Sequence, residues 1–156
     1  MTSVFTVAVP HIGNQVLLGH KKTKIGKGYW NGFGGRVELG ESVEEAAARE
    51  LREECGLVAE ELFYGGLLVA HFRDSGNHFE LHIFQVTGIT GKVVESREMR
   101  PQWFPVNEIP YEQMWASNKL WLPLLLAGKH FSGTVWFDNL EDRRLLRHAI
   151  HEEVHV

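Results

Sequence analysis

The chain holds a single cysteine, Cys55, so an intrachain disulfide framework is excluded and a reducing compartment, the cytoplasm, is expected. Cys55 reads as a buried spacer rather than a nucleophile. No apolar run approaches membrane-spanning length: Leu120 to Ala127 is too short and contains Pro123. The start, Met1-Thr-Ser-Val-Phe-Thr-Val-Ala-Val-Pro10, has no basic segment and only a short apolar run, so it reads as a strand rather than a signal peptide. Neither charge sign dominates. A formal net charge of −4 argues against non-specific nucleic-acid binding. Internal repeats, low-complexity tracts and linkers are absent too. What remains is a chain of 156 residues, 44% hydrophobic, long enough to bury a core as one soluble domain over residues 1–156. A monomer without membrane or nucleic-acid partners is expected.

One run carries most of the chemical information. It is Gly35-Arg-Val-Glu-Leu-Gly-Glu-Ser-Val-Glu-Glu-Ala-Ala-Ala-Arg-Glu-Leu-Arg-Glu-Glu-Cys-Gly-Leu57. Gly35, Glu41, Arg49, Glu50, Glu53, Glu54 and Gly56 stand at fixed spacing, with Leu51 and Leu57 in two aliphatic slots. At roughly 6% per fixed position, a chance match in such a chain is on the order of one in ten million.

The run predicts its own local structure. Ser42 and Glu45 form an S-x-x-E capping box that starts a helix. Ala46, Ala47, Ala48, Arg49, Leu51 and Arg52 favour helix. Gly56 stands where a helix closes left-handed. A helix of about fourteen residues is therefore expected near Ser42 to Cys55. On it Glu50, Glu53 and Glu54 are spaced i, i+3, i+4 and share one face, while Val43, Ala46, Ala47 and Leu51 are left to pack on a core. Three like charges on adjacent turns repel. Divalent cations remove that repulsion, and all-oxygen ligands favour Mg²⁺ or Mn²⁺. Alone, an E-x-x-E-E would read as a solvated acidic face. The Gly-Gly loop, Glu41 and Arg49 at fixed offsets argue against that.

Elsewhere the pattern alternates strands with few helices. Val4 to Val9 and Gln15 to Lys21 read as a hairpin across Gly13-Asn14, followed by a Gly/Lys-rich loop from Thr23 to Tyr29. Leu62 to Arg73 and His78 to Thr87 read as strands joined at Asp74-Ser-Gly-Asn77, and Arg100 to Val106 as another. Asn107 is placed to cap a short helical turn. Ser117 or Asn118 starts a helix that ends before Gly128, and Pro123 should bend it or displace its start. Phe131 to Phe137 and Arg144 to Val154 are the last predicted strands. This predicts an α/β (α+β) fold, a mixed sheet sandwiched between helices.

The Gly35–Leu57 run resembles the Nudix box of the MutT-related Nudix hydrolases, and that resemblance implies the same αβα sandwich. Gly19-His-Lys-Lys22, Gly28-Tyr-Trp-Asn-Gly-Phe-Gly-Gly35, Val94 to Phe104, Met114-Trp115 and Trp121 to Leu126 extend it. They look like the branch of the family that hydrolyses oxidised purine nucleoside triphosphates such as 8-oxo-dGTP and 2-hydroxy-dATP, sanitising the nucleotide pool. By that resemblance Glu50, Glu53, Glu54 and Glu98 bind metal with the Gly34 carbonyl, and Arg49 orients the glutamates. Lys21, Asn31, the Phe33, Gly34, Gly35 and Arg36 segment and Thr6 line the nucleotide site. Trp115, with Ser117 and Asn118 after it, closes the base pocket. The implied reaction is Mg²⁺-dependent hydrolysis to a monophosphate and pyrophosphate. Glu53 or Glu54 would act as general base, and Arg36 or Lys21 would hold the leaving charge.

The base pocket departs from that branch. Two aspartates are replaced by Ser117 and Asn118, which keep fixed donors and acceptors near neutral pH. Ala70 and Ile25 stand where aromatic residues are expected. The resemblance thus leaves oxidised purine triphosphates as the leading substrates and a shifted or relaxed base preference as the alternative. Two other classes fit the sequence less well. An inactive Nudix-like binding module usually lacks a box glutamate, and this chain keeps all of them. A zinc protease would need His151-Glu-Glu-Val-His155 on a helix, whereas the tail reads as a strand that puts the two histidines about 13 Å apart.

Overall fold

The computed structural model describes residues 2–141 and 143–153. Strand β1 (Thr2–Ile12) turns at Gly13-Asn14 into β2 (Gln15–Lys21), and a short β3 (Trp30–Asn31) follows. Helix α1 (Val43–Cys55) leads into β4 (Val58–Phe72), β5 (His78–Thr90) and β6 (Met99–Pro105). Helix α2 (Asn118–Leu126), β7 (His130–Phe137) and β8 (Leu145–Glu153) complete the order. The strands form one mixed sheet, ordered β3-β2-β1-β5-β4-β7-β8, with β6 on the free side of β2. β1 runs parallel to β5 and β4 parallel to β7, while β4–β5 and β7–β8 are antiparallel. β1 touches β2 only at its far end, through His11–Val16 and Ile12–Gln15. The sheet therefore opens into two wings, and the chain after β3 fills the gap by bridging Phe33 to Ala8 and Arg36 to Phe5.

The helices lie on opposite faces because neighbouring strand residues point opposite ways. Val7 and Val9 pack with Leu68, Ile83, Phe131 and the α2 residues Trp121, Leu122 and Leu125. Ala8, one position along, packs with Leu17, Phe84 and the α1 residues Ala47, Leu51 and Cys55. The expected sandwich is what forms.

Helix α1 begins and ends as its sequence dictates. The Ser42 hydroxyl accepts from the Glu45 N–H at 3.1 Å, and the Glu45 carboxylate accepts from the Ser42 N–H at 3.1 Å. Gly56 closes the helix at φ 81°, and its N–H donates to the Arg52 carbonyl. Other elements differ from expectation in length or place. β4 and β5 are longer than the apolar runs suggest, because bulges let the pairing continue to Val58–Thr90. The short helical turn forms at Tyr111–Gln113 rather than beside Asn107, since Pro110 keeps Ile109 out of helical geometry. α2 starts and ends where expected, from Asn118 to Leu126, so Pro123 does not displace its start; the buried Trp121, Leu122 and Leu125 anchor it.

Candidate active site

The opening between the wings forms a cleft of about 890 Å³. One end is acidic. Glu50, Glu53 and Glu54 reach it from α1, Glu98 from the loop before β6, and Lys21 from the end of β2. The shared helical face resolves into three depths: Glu54 is 3% exposed, Glu50 half-buried, and the Glu53 side chain 58% exposed.

Their environments differ accordingly. Burial pushes the Glu54 carboxyl up to about 8, against the opposing pull of Lys21 and of the Gly34 N–H, which donates to it at 2.8 Å. Burial also raises Glu50, although Arg49 donates to it at 2.8 Å. Glu98 is lowered, chiefly by its hydrogen bond from Lys24. Arg49 lies under this face rather than in the cleft. Its guanidinium makes two bonds to Glu41, at 2.6 and 3.0 Å, and also reaches Glu53 and the Arg36 carbonyl. That fork holds Glu41 down at about 2. The one arginine therefore joins the helix to the loop that precedes it.

Two glycines are fixed by close approach. A Cβ on Gly34 would stand 1.7 Å from the Thr6 carbonyl oxygen, and one on Gly35 2.7 Å from the Glu50 carboxylate. The loop can lie between β1 and α1 only without side chains at these positions.

The other end of the cleft is apolar. Ala70 and Phe72 on β4, Phe79 on β5 and Val135 and Phe137 on β7 line it. Trp115 stands edge-on to Phe72 and Phe137, with ring centroids 6.4 and 5.3 Å away. Arg143 lies over both the Trp115 and Tyr29 rings, at 5.3 and 4.2 Å. Between the two ends sit Thr6, Asn31, Ser117 and Asn118. The Asn118 side-chain amide donates to the Asn31 carbonyl oxygen at 3.0 Å, and that oxygen also accepts from the Gly32 N–H. The buried Thr6 hydroxyl has no hydrogen-bond partner among the described residues.

Of the residues singled out in the sequence, the structure brings Thr6, Lys21, Asn31, Gly34, Gly35, Arg36, Glu50, Glu53, Glu54, Glu98, Trp115, Ser117 and Asn118 to this cleft. Phe33 and Arg49 do not line it, and Phe33 lies farthest from expectation. The extended segment pairs with β1 at Ala8, so the Phe33 ring turns to the opposite side and is fully buried in the core with Leu17, Leu51 and Met99. The aromatic floor of Phe72, Phe79 and Phe137 is what the sequence reading missed. Alternation along β4, β5 and β7 marks those positions as inward, but not as lining a cleft. His151 lies on β8, in extended rather than helical geometry, and His155 falls outside the described residues.

Divalent metal chemistry suits the acidic end. Glu54 Oε2 is a buried carboxylate oxygen with no hydrogen bond, and hard cations are held by such oxygens. Among the described residues, however, no three His, Cys, Asp or Glu side chains converge into a ready-made cluster. Arg49 instead draws Glu50 and Glu53, while Lys21 lies between Glu54 and Glu98.

The NUDIX domain family matches residues 2–125. The chain belongs to the Nudix family. It is a Nudix hydrolase, and members of this family generally use divalent metal ions. It is 48% identical over 123 residues to the oxidized purine nucleoside triphosphate hydrolase of Danio rerio, covering 79% of each chain. It is 41% identical to the enzyme of the same name from Mus musculus over 136 residues, 87% of each chain. Among solved structures it is similar to a mutator MutT protein from Bacillus halodurans at 26% identity, with a TM-score of 0.86 over 95% of this chain and 97% of that one.

Proposed function

We propose that this Nudix hydrolase cleaves oxidised purine deoxynucleoside triphosphates, such as 8-oxo-dGTP and 2-hydroxy-dATP, to the monophosphate and pyrophosphate, using Mg²⁺ or Mn²⁺. The observation that carries the reading is one cleft with a carboxylate face at one end and an aromatic slot at the other. A nucleotide has the same polarity. Relatives named for that substrate, at 48% and 41% identity, support it.

In this reading Glu50, Glu53, Glu54 and Glu98 hold the cation together with the Gly34 carbonyl. The cation, when bound, offsets phosphate charge and acidifies water. Arg49 keeps Glu50 and Glu53 oriented from below. Glu53 or Glu54 takes the proton of the attacking water. Exposed Glu53 has direct access to water. Burial makes Glu54 more basic than an ordinary carboxylate. Lys21 and Arg36 receive the charge of the departing pyrophosphate. Trp115 stacks the base, while Asn31, Ser117, Asn118 and Thr6 meet its polar edge. Residues 1–156 act as one catalytic unit, a cytoplasmic monomer working on free nucleotides without a nucleic-acid or membrane partner.

A second reading concerns the base only. Ser117 and Asn118 are buried neutral groups where charge-assisted contacts would bind a purine edge more strongly, and Ala70 and Ile25 enlarge the slot. These four positions favour a broader or shifted base preference within the same reaction. A panel of ordinary, oxidised and methylated nucleotides, assayed with Mg²⁺ for pyrophosphate release, separates the two. A selective preference for a non-nucleotide diphosphate would refute both. Single Glu→Gln changes at positions 50, 53, 54 and 98 test the acidic face, and undiminished activity in both the Glu53 and Glu54 variants would sink the general-base assignment.

A further inference from the structure

The carboxylates of the acidic end are already paired with basic groups of the same chain. Lys21 Nζ lies 3.7 Å from Glu54 Oε2 and 3.6 Å from Glu98 Oε2, placing one ammonium between α1 and the loop before β6. Lys24 Nζ meets the other oxygen of Glu98 at 3.1 Å. Arg49 takes Glu50 and Glu53. The three basic residues are not equivalent. Arg49 is locked to Glu41 by two bonds and cannot leave without undoing the helix-to-loop link. Lys24 is 73% exposed and touches only Glu98 among these acids. Lys21 is 16% exposed, and at 3.7 Å it is too far from Glu54 to hydrogen-bond. Lys21 thus meets Glu54 Oε2 through charge rather than a hydrogen bond, and does so on a flexible stem.

We propose that Lys21 is an internal counter-ion occupying the cation position between Glu54 and Glu98, which it yields to a divalent metal when a triphosphate draws its ammonium away. This rests on the metal-dependent reading above. An ammonium and a divalent cation cannot share those two oxygens, since like charges at such short range repel strongly. The nucleotide-free chain therefore binds metal weakly. A triphosphate offers the lysine another anionic partner, so metal and nucleotide bind with positive coupling, and by linkage each raises the affinity for the other by the same factor. The device also accounts for the acids falling into two pairs, Glu50 with Glu53 on Arg49 and Glu54 with Glu98 about Lys21.

The test is Mg²⁺ titration by calorimetry at pH 8.5 on the nucleotide-free protein, comparing wild type with Lys21→Met and Lys24→Met. Removing the Lys21 ammonium should tighten Mg²⁺ binding about tenfold, and removing the more exposed one of Lys24 much less. Repeating the titration with a non-hydrolysable triphosphate present should tighten wild type more than Lys21→Met, because the variant has no lysine to displace. Equal or weaker Mg²⁺ binding by Lys21→Met, or unchanged coupling, overturns the proposal. Lys21→Gln serves the same comparison if the methionine variant does not fold. The parent reading fails separately, if wild type shows no metal-dependent nucleotide turnover.

Discussion

Glu54 is the residue whose surroundings differ most from those of an ordinary surface carboxylate. It is buried, bonded to one backbone N–H, and left with one unbonded oxygen. In metal-free protein this has a direct thermodynamic consequence. The folded chain keeps the Glu54 proton up to about pH 8, whereas the unfolded chain releases it near 4.5. Between those values the unfolded state binds fewer protons, so rising pH destabilises the fold. Metal-free wild type should therefore lose stability relative to Glu54→Gln from about pH 4.5 to about 8, read as the difference between two denaturant midpoints. Mg²⁺ should restore wild type and leave the variant little changed; a pH-independent difference would contradict this account of Glu54. Asn118 poses the matching question at the base end. Its amide is fixed by Asn31, so the ratio of kcat/KM between two bases should stay flat with pH. Asn118→Asp should make that ratio pH-dependent, because a carboxylate beside the base can titrate.

At the scale of elements, α1 both presents the acids and anchors the core. Its capping box and left-handed close are local devices, so each can be removed alone. Ser42→Ala should cost about 1 kcal/mol by denaturant unfolding, through the lost cap. Gly56→Ala should cost more. It forces a side chain into φ 81° and sets a Cβ 2.8 Å from the Lys92 carbonyl. The same locality explains why this helix was legible from sequence. Cap, apolar side and stop all lie within fifteen consecutive residues, Ser42 to Gly56. Its acids were legible as one face for the same reason. Their unequal depth was not, because the loop at Gly34 that covers Glu54 comes from twenty residues earlier. Phe33 shows the converse limit. Strand alternation would have turned it away from its neighbours, but the sequence does not reveal that the segment pairs with β1. Neither does it reveal the meeting of Asn118 with Asn31, 87 residues apart.

Across the whole molecule, function follows from a sheet joined at only one end. β1 and β2 pair through two residue pairs and then diverge, and the cleft is the space between. Cys55 reports on how firmly that arrangement holds. It is fully buried, its thiol donates to the Leu51 carbonyl at 3.3 Å, and burial raises it to about 11. Alkylation at pH 8, followed by mass spectrometry, should proceed only as fast as the α1 side of the core opens, and should slow when Mg²⁺ and nucleotide are added. Rapid labelling of the folded protein would show a looser core. The central claim is the bond that breaks and the nucleotide that is chosen. Product analysis of 8-oxo-dGTP turnover with Mg²⁺ tests it most directly. The expected result is one monophosphate and one pyrophosphate per turnover, abolished by chelating the metal. Release of orthophosphate and a diphosphate, or no turnover of any nucleoside triphosphate, would contradict it.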